Sequence, residues 1–442
     1  MIVSPERSVR TRIIRGIPPH AVFSSRVRHL PGLRKSIPTV VRWCFLLFVF
    51  MIPFETIELI SGALSPAKVS GVLFFASCMF FPRKCFPPVP RATWWFLGFV
   101  AVYALNVVVA SGGSSGGFLS SLLTLTQLTI LLWIASGLLK EEQLARSVLL
   151  TFSIATAFLA FGVILELPGF SAGFQTRELQ GGVRSTPLGY SPNDLGGVAA
   201  LAAVILIGLE LDKRIRSSWS RLMLAALTLP LFVLLIRSGS RTGVLAFACG
   251  VSPFLLSLGR SNHRRMIAIA AAVAALVAGG YMVASDPLLS ARWTVTFETG
   301  DMAGRENLFG SASEMIAEQP ILGWGPIKGP NELGRRHGRL GEADPHNLLL
   351  HLLLIFGASG TFPFLVGLWL CIRSAWNGRA GNLGLLPLAL LITMLVVNMA
   401  NVWLYRKSMW LVLALALATV TATARRHRRP TFLSRTSFKT RL

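Results

Sequence analysis

The chain has 442 residues, of which 53% are hydrophobic and only 14% are charged, and its mean hydropathy is +0.60. A soluble protein carries roughly a quarter of its residues as charges, so the composition excludes an ordinary soluble globular protein. The formal net charge of +24 would suit a nucleic-acid-binding protein. However, the Lys and Arg residues lie in both termini and in alternate short loops, which is the pattern of a membrane protein, and no nucleic-acid partner is expected.

Residues 1–39 form a basic tail with eight Lys and Arg residues against the single acid Glu6. The tail is too long and too polar for a cleaved signal peptide. We interpret it as a cytoplasmic segment, matched at the other end of the chain by a second basic tail at residues 424–442.

Between the tails the apolar residues come in blocks of about 17 to 25, the length that spans a bilayer. We therefore predict an all-α polytopic membrane protein of about twelve transmembrane helices. The predicted spans are residues 40–60, 66–81, 92–110, 118–138, 146–167, 191–209, 219–236, 240–258, 265–284, 346–371, 383–402 and 407–423. Nine spans thus occupy residues 40–284, and three lie within 346–423.

The basic residues of the short loops predict the orientation of these spans. If the N-terminus is cytoplasmic, the inner loops hold Arg83, Lys84, Arg91, Lys140, Arg146, Lys213, Arg214, Arg216, Arg221, Arg260, Arg264, Arg265, Arg373 and Arg379. The opposite side receives Ser111–Gly117, which carries no charge. Because positive charge is retained on the cytoplasmic side, both termini are predicted to be cytoplasmic.

Two outer loops are larger than the rest, at residues 168–190 and 285–345. After the first loop, Ser191 is predicted to cap the sixth span and Pro192 to be its first residue. The second loop holds nine acids and six bases, a net charge of −3 on a chain of +24. We predict that this long outer loop is a folded element and the natural place for chemistry.

Within the long loop, Gly304-Arg305-Glu306-Asn307 leads into a predicted helix that runs to Glu318, with Arg305 near its start. Its apolar residues recur at helical spacing and form one stripe: Leu308, Phe309, Ala312, Met315 and Ile316. Pro320 and Gly323 end it. The glycine-rich stretch Gly323–Gly329 lacks the Lys-Ser/Thr of a phosphate-binding loop, and no helix is predicted after it.

Three outer arginines are the first candidates for substrate binding. Arg237 and Arg241 lie in the short turn between the seventh and eighth spans, and Arg305 begins the loop helix. Guanidinium groups at a membrane boundary require an anion, which is either a lipid headgroup, a nearby carboxylate or a substrate. Together the three would suit a diphosphate, because guanidinium forks bind phosphate oxygens bidentately and stabilise a departing phosphate without metal.

His346 follows Asp344-Pro345, which we interpret as the N-cap and first residue of the tenth span. The helix N-terminus disfavours the imidazolium, so His346 is predicted to be neutral and able to accept a proton, although a histidine at a helix start can equally be structural. His351 lies about 140° further around the helix and is predicted to pack or to meet lipid. Glu55 and Glu58, at the outer end of the first span, either touch substrate or are simply hydrated.

No Asp-x-Asp pair occurs on the outer loops, and Glu298 and Asp301 are the nearest substitute for a metal site. The five cysteines have no paired spacing and are interpreted as packing residues: Cys44, Cys78, Cys85, Cys249 and Cys371. We expect neither metal nor cofactor.

The motifs in this part of the chain resemble those of the O-antigen ligase and O-antigen polymerase family of bacterial inner-membrane proteins. They are Ser240-Arg241-Thr242-Gly243, Gly304-Arg305-Glu306, Gln319-Pro320-Ile321-Leu322-Gly323-Trp324-Gly325-Pro326, and His346-Asn347 followed by Phe356-Gly357 and Gly360. The resemblance covers about residues 190–400. Two positions depart from the family pattern, since Phe309 stands where Trp is more usual and Ile355 lies where a carboxylate often precedes Gly357.

The resemblance implies a glycosyltransferase with a GT-C-like fold that moves a glycan from undecaprenyl diphosphate to an acceptor at the periplasmic face of the inner membrane. It implies that Arg241 and Arg305 hold the diphosphate, that His346 binds or activates the acceptor hydroxyl, and that Arg237 is a third anion contact. The acceptor would be the lipid A core for a ligase and a second lipid-linked glycan for a polymerase. A transporter or flippase of lipid-linked saccharides is the alternative, but such proteins favour repeated halves and broken helices, which the sequence does not indicate.

Overall fold

The computed structural model describes residues 37–57, 65–111, 116–170, 173–175, 183–211, 217–256, 305–338 and 341–419, with isolated positions between 281 and 298. Several predicted features lie outside these residues. They are most of the N-terminal tail, Glu58, the ninth span at 265–284, Asp301 and the first part of the long loop, and the C-terminal tail at 424–442.

Helices dominate the described chain, because its apolar blocks can satisfy their backbone groups internally only as helices. They are α1 (Thr39–Met51), α2 (Pro66–Met79), α3 (Pro82–Cys85), α4 (Arg91–Ser111), α5 (Gly116–Leu138), α6 (Glu142–Ile164), α7 (Pro192–Glu210), α8 (Ser218–Arg237), α9 (Arg241–Leu256), α10 (Arg305–Glu318), α11 (Lys328–Arg336), α12 (Leu348–Asn377), α13 (Leu386–Val397) and α14 (Lys407–Ala418). Strands β1 (Gly173–Gln175) and β2 (Val183–Ser185) form an antiparallel hairpin in the first large outer loop, which the all-α prediction did not include.

Eleven of the twelve predicted spans coincide with a described helix. Among the residues that the structure describes, five helices are long and apolar enough to cross a membrane: Leu119–Leu138, Glu142–Ile164, Pro192–Glu210, Ser218–Arg237 and Leu348–Ala380. Others are shorter than predicted. The first span ends in a 3₁₀ turn at Ile52–Phe54, where Pro53 interrupts the helix, rather than at residue 60. The total of twelve spans stays a prediction.

Contacts between helix ends follow the two sides that the loop charges predict. On the side of the large loops, polar contacts join Arg406 to Glu55 and Asp194, Ser240 to Asn193, Arg237 to Val163, and Asn347 to Met399. On the other side they join Arg42 to Ser147, Trp133 to Pro87, and Asn382 to Glu142. The alternation of the described helices therefore agrees with the predicted topology, and we refer to the first of these sides as the outer side.

Helix α7 lies at the centre of the bundle, where it packs against α6, α8, α9 and α13. Small residues line it and let the neighbouring backbones approach closely. At Gly197, an added Cβ would stand 2.6 Å from the ring of Trp403, and at Gly208 it would stand 2.5 Å from Leu386. Ser191 caps this helix through the N–H of Asp194, and Pro192 is its first residue, which confirms the predicted start.

The loop helix α10 ends at Glu318 as predicted, and Leu308, Ala312 and Met315 of its apolar stripe are buried. A second helix, α11, follows the glycine-rich stretch, so the prediction that no helix comes after it was wrong. The apolar periodicity of residues 328–336 is too weak to predict α11. Its last two residues, Arg335 and Arg336, form ion pairs with Glu332 instead.

Arg336 joins the two loop helices. Its guanidinium donates to both carboxylate oxygens of Glu318 at 2.7 Å and to Glu332 at 2.8 Å, and it lies 5.4 Å from the centre of the Trp324 ring. Hydrogen bonds from Arg335 and Arg336 lower the pKa of Glu332 to about 2. The charged form of this carboxylate thus holds the loop fold at neutral pH.

Helix α12 is broken at Gly357, where the backbone turns to φ +57° and ψ −163°. The break lies about 14 Å along the helix axis from Leu348. The segment 320–325 fills it by four backbone hydrogen bonds: Trp324 N–H to Leu354 O (2.8 Å), Gly325 N–H to Ile355 O (2.9 Å), Ala358 N–H to Pro320 O (2.8 Å) and Ser359 N–H to Ile321 O (3.0 Å). Asn106 of α4 also donates to the carbonyl of Leu322 at 3.0 Å.

The motif from Gln319 to Pro326 therefore secures the long loop to the membrane bundle. Gly323 and Gly357 meet face to face, since a Cβ on Gly323 would lie 2.5 Å from the Gly357 nitrogen and a Cβ on Gly357 would lie 2.3 Å from the Ile321 carbonyl oxygen. Both also have positive φ, which side chains resist. Only glycine fits either position.

A Gly323→Ala substitution is accordingly expected to lower the stability of the protein by about 2 kcal/mol or more, through backbone strain and the clash with the broken helix. The measurement is the thermal unfolding midpoint of the protein in detergent. Gly310→Ala is the matched control, because Gly310 lies exposed in α10 with open space around it, and alanine there should be neutral or slightly stabilising. Equal midpoints for the two variants would contradict the proposed docking.

Candidate functional site

The turn that carries Arg241 is rigid. Gly239 has a φ of +59°, and the side chain of Ser238 accepts the N–H of Ser240 at 3.2 Å. The hydroxyl oxygen of Ser240 in turn accepts the N–H of Gly243 at 3.1 Å, as an N-cap does. Arg241 is therefore the first residue of α9, and its backbone is fixed by two buried serines.

This turn is seated on the N-terminus of α7. Ser240 donates to the side-chain oxygen of Asn193 at 3.2 Å. A Cβ on Gly196 would lie 2.6 Å from that of Ser240, and one on Gly243 would lie 2.9 Å from the Gly196 backbone. Small residues on both helices thus place Arg241 at the outer edge of the bundle, half-buried.

Arg305 stands at the first position of α10 and shares an electrostatic neighbourhood with Arg241. Burial lowers the pKa of the Arg305 guanidinium, the positive charge of Arg241 lowers this pKa further, and Glu306 partly raises it. Two half-buried guanidiniums that repel each other form a focus of positive potential. A site of this kind attracts anions.

Arg237, the last residue of α8, has partners within the protein. Its Nη1 donates to the carbonyl oxygen of Val163 at 3.0 Å and lies 4.0 Å from the carboxylate of Glu166. The side chain is 42% exposed. It therefore binds the C-terminal end of α6, which makes it a weaker anion contact than Arg241 or Arg305.

His346 is exposed on the outer side, but its predicted position in the helix was wrong. Helix α12 begins at Leu348, and its N-cap is Asn347, whose side-chain oxygen accepts the N–H groups of Leu349 and Leu350. His346 precedes the cap, with a φ of +50°. Sequence favoured Asp344 as the cap because Pro345 suits a first helical turn, whereas Asp344 caps only the short bend before the helix.

The structure thus brings Arg241 and Arg305 together and places His346 on the same side of the bundle. Helix α10, which begins at Arg305, packs against α12, which begins two residues after His346. His351 lies within α12 and is buried, which fits the packing alternative of its prediction, but a carboxylate lies near its ring. Its Nδ1 lies 3.8 Å from the carboxylate of Asp344.

A second charged cluster on the outer side was missed by the sequence analysis. It consists of Glu55, Asp194, Arg406 and Lys407. Arg406 donates to Asp194 at 2.8 Å and to Glu55 at 3.3 Å, and Lys407 lies 3.1 Å from Glu55. The carboxylate of Glu55 is therefore paired rather than simply hydrated.

The aromatic surroundings of this cluster keep it in place. Trp403 donates its indole N–H to Asp194 at 2.7 Å, and the ring of Tyr190 lies 5.6 Å from the Arg406 guanidinium. Burial lowers the pKa of Arg406, but Glu55 and Asp194 outweigh it and raise the pKa above its ordinary value. The two carboxylates neutralise the two basic side chains, so the cluster has no net positive charge with which to bind a substrate anion.

The comparison with known families decides the assignment. Residues 225–365 match the protein-family model described as O-antigen ligase. This match covers about a third of the chain and supports an O-antigen ligase/polymerase family assignment. No curated protein matches the chain.

The family segment contains Arg237, Arg241, Arg305 and His346, whereas the paired cluster around Arg406 lies outside it. Members of an O-antigen ligase/polymerase family are glycosyltransferase-type membrane enzymes that act on lipid-linked glycans. An exposed imidazole and two guanidiniums whose charges repel each other are groups that such chemistry can use: a proton acceptor for a hydroxyl and cations for a phosphate leaving group.

Proposed function

We propose that the protein is a membrane glycosyltransferase that moves a glycan from undecaprenyl diphosphate to an acceptor at the periplasmic face of the bacterial inner membrane. In this proposal the protein is a GT-C-like bundle of about twelve spans with both termini in the cytoplasm. The observation that supports it most strongly is that the positive charges of Arg241 and Arg305 repel each other on the outer side of the bundle. Both residues lie within the matched stretch 225–365. Two guanidinium groups with neighbouring positive charges suit a diphosphate.

In the proposed reaction the acceptor hydroxyl attacks the anomeric carbon of the donor sugar. The bond between that carbon and the diphosphate oxygen breaks, and its electron pair leaves with the diphosphate. Arg241 and Arg305 stabilise the negative charge as it develops, with Arg237 at the edge of the site. His346 takes the proton of the acceptor hydroxyl and later releases it to solvent.

Purified protein in detergent is expected to transfer glycan from a polyprenyl-diphosphate-linked donor and to release free polyprenyl diphosphate in the presence of a chelator. Guanidinium groups can neutralise the leaving diphosphate, so transfer should not need added divalent metal. Supplying lipid A core or a second lipid-linked glycan as acceptor distinguishes a ligase from a polymerase. Loss of transfer on chelation would contradict the metal-free mechanism.

The same assay tests the alternative, a transporter or flippase of lipid-linked saccharides. One observation favours it, since α12 is a broken helix of the kind found in transporters. However, segment 320–325 fills this break and pairs its backbone groups. Transfer in detergent needs no second compartment, so product formation there supports the enzyme, whereas vesicle transport without any transfer would support the transporter.

A further inference from the structure

His351 is a buried imidazole whose position ordinary packing does not explain. It is only 8% exposed, and neither ring nitrogen has a hydrogen-bond partner. Leaving a polar group of this kind unsatisfied in a core is unfavourable, because the group loses its hydrogen bonds to water. An apolar residue would be more favourable there if the position served packing alone.

The carboxylate of Asp344 lies near this imidazole. One oxygen of Asp344 accepts the backbone N–H of His346 at 2.7 Å, and the other lies 3.8 Å from Nδ1 of His351. The carboxylate thus stands between the two histidines. A shift of less than about 1 Å would give it a hydrogen bond from His351 as well.

His346 needs such support because its backbone is strained. Its φ of +50° is unfavourable for any residue with a side chain. Strained residues persist only where their surroundings fix them, and they cluster at functional sites. On one side Asp344 holds the N–H of His346, and on the other Asn347 caps α12 and donates to the carbonyl oxygen of Met399 at 3.3 Å.

We propose that Asp344 and His351 are positioning residues for His346: His351 orients the carboxylate of Asp344, and this carboxylate holds the strained backbone that presents the His346 imidazole to the acceptor hydroxyl. The inference rests on the acceptor role proposed for His346. It assigns a function to a buried histidine that helical periodicity marks as packing.

Two substitutions of His351 separate positioning from packing. His351→Leu fills the apolar core and removes the donor, so a packing role predicts normal activity and equal or higher stability. His351→Asn is less favourable for packing but places an amide N–H near the original Nδ1. A positioning role therefore predicts that the asparagine variant retains glycan transfer and that the leucine variant loses it.

The experiment measures transfer by the purified full-length protein, with kcat and KM determined separately for a polyprenyl-diphosphate-linked donor. His351→Leu is expected to lower kcat by about 10- to 100-fold with little change in KM for the donor, as misplacement of a reacting group does. His351→Asn should keep kcat within about threefold of the wild type. Full turnover in His351→Leu, or greater loss in His351→Asn than in His351→Leu, would overturn the proposal.

If neither His351 variant folds, Asp344→Asn provides the test, because the Asp344 side chain is 42% exposed and tolerates the change. The amide oxygen can still accept the His346 N–H, but the amide nitrogen that replaces the second oxygen cannot accept a hydrogen bond from His351. We therefore expect kcat to fall. Full turnover would again overturn the proposal. His346→Gly combined with His351→Leu should be no slower than His346→Gly alone. Activity retained in His346→Gly would instead contradict the proposed function itself, as would the absence of transfer in the wild type.

Discussion

Replacing Arg305 with alanine is expected to abolish glycan transfer while the protein still inserts into the membrane. Removing one charged group that stabilises a leaving diphosphate should lower kcat by about 100- to 1,000-fold. Stability should not fall, because burial and the charge of Arg241 both lower the pKa of Arg305, which means that its charge destabilises the folded protein. The measurements are transfer by purified protein and thermal unfolding in detergent.

Arg335→Ala is the control for this variant. Arg335 lies on the same outer loop, its side chain is 73% exposed, and Glu332 keeps Arg336 as a partner when Arg335 is removed. Transfer should be unchanged. An Arg305→Lys variant should recover only part of the activity, because an ammonium lacks the bidentate fork of a guanidinium. Normal transfer by Arg305→Ala would remove this residue from the mechanism.

His346→Gly is expected to have the second large effect. Glycine accepts the positive φ of this position, so the substitution removes the imidazole without adding backbone strain. Loss of a group that accepts a proton in the transition state should lower kcat by about 100- to 10,000-fold. Donor binding should be nearly unchanged, since the diphosphate is assigned to the arginines.

His337→Ala is the matched control, because His337 is a partly exposed histidine of the same loop at the end of α11. It should behave as the wild type. If His346→Gly instead raised the KM for the donor and left kcat unchanged, His346 would belong to the donor side, and the assignment of an acceptor role would be wrong.

Sequence alone could predict most of the fold, because a bilayer permits few structures for long apolar segments. Eleven predicted spans fall on described helices, and the polar contacts between helix ends agree with the sides predicted from loop charge. The prediction of the cap at Ser191 was also confirmed, since the residues that decide it are adjacent in sequence. These features depend on composition and local order.

The remaining features depend on contacts between distant segments. Nothing near Gly357 in the sequence indicates that segment 320–325 enters the helix break, and nothing near Asp194 indicates its pairing with Arg406, more than two hundred residues away. The sequence indicates that Arg406, Lys407 and Glu55 are charges on the outer side that require partners. It does not indicate that they pair with one another. For a related reason the sequence did not indicate that Asp344 lies near His351, because this carboxylate comes from the bend before the helix.

The site was predicted in part. The sequence selected Arg241 and Arg305 as outer cations, and the structure gives these two a shared positive field. It gives Arg237 a carbonyl and a carboxylate partner instead, which reduces its value as an anion contact. The roles of all three arginines and of His346 stay proposals until they are tested.

The most direct test of the central claim is an experimental structure of the protein with a bound polyprenyl-diphosphate-linked saccharide, obtained with the slow His346→Gly variant. We expect the diphosphate to contact the guanidinium groups of both Arg241 and Arg305, with the anomeric carbon on the side of residue 346. A diphosphate bound elsewhere, for example at Arg406 and Lys407 with their partners displaced, would contradict the account.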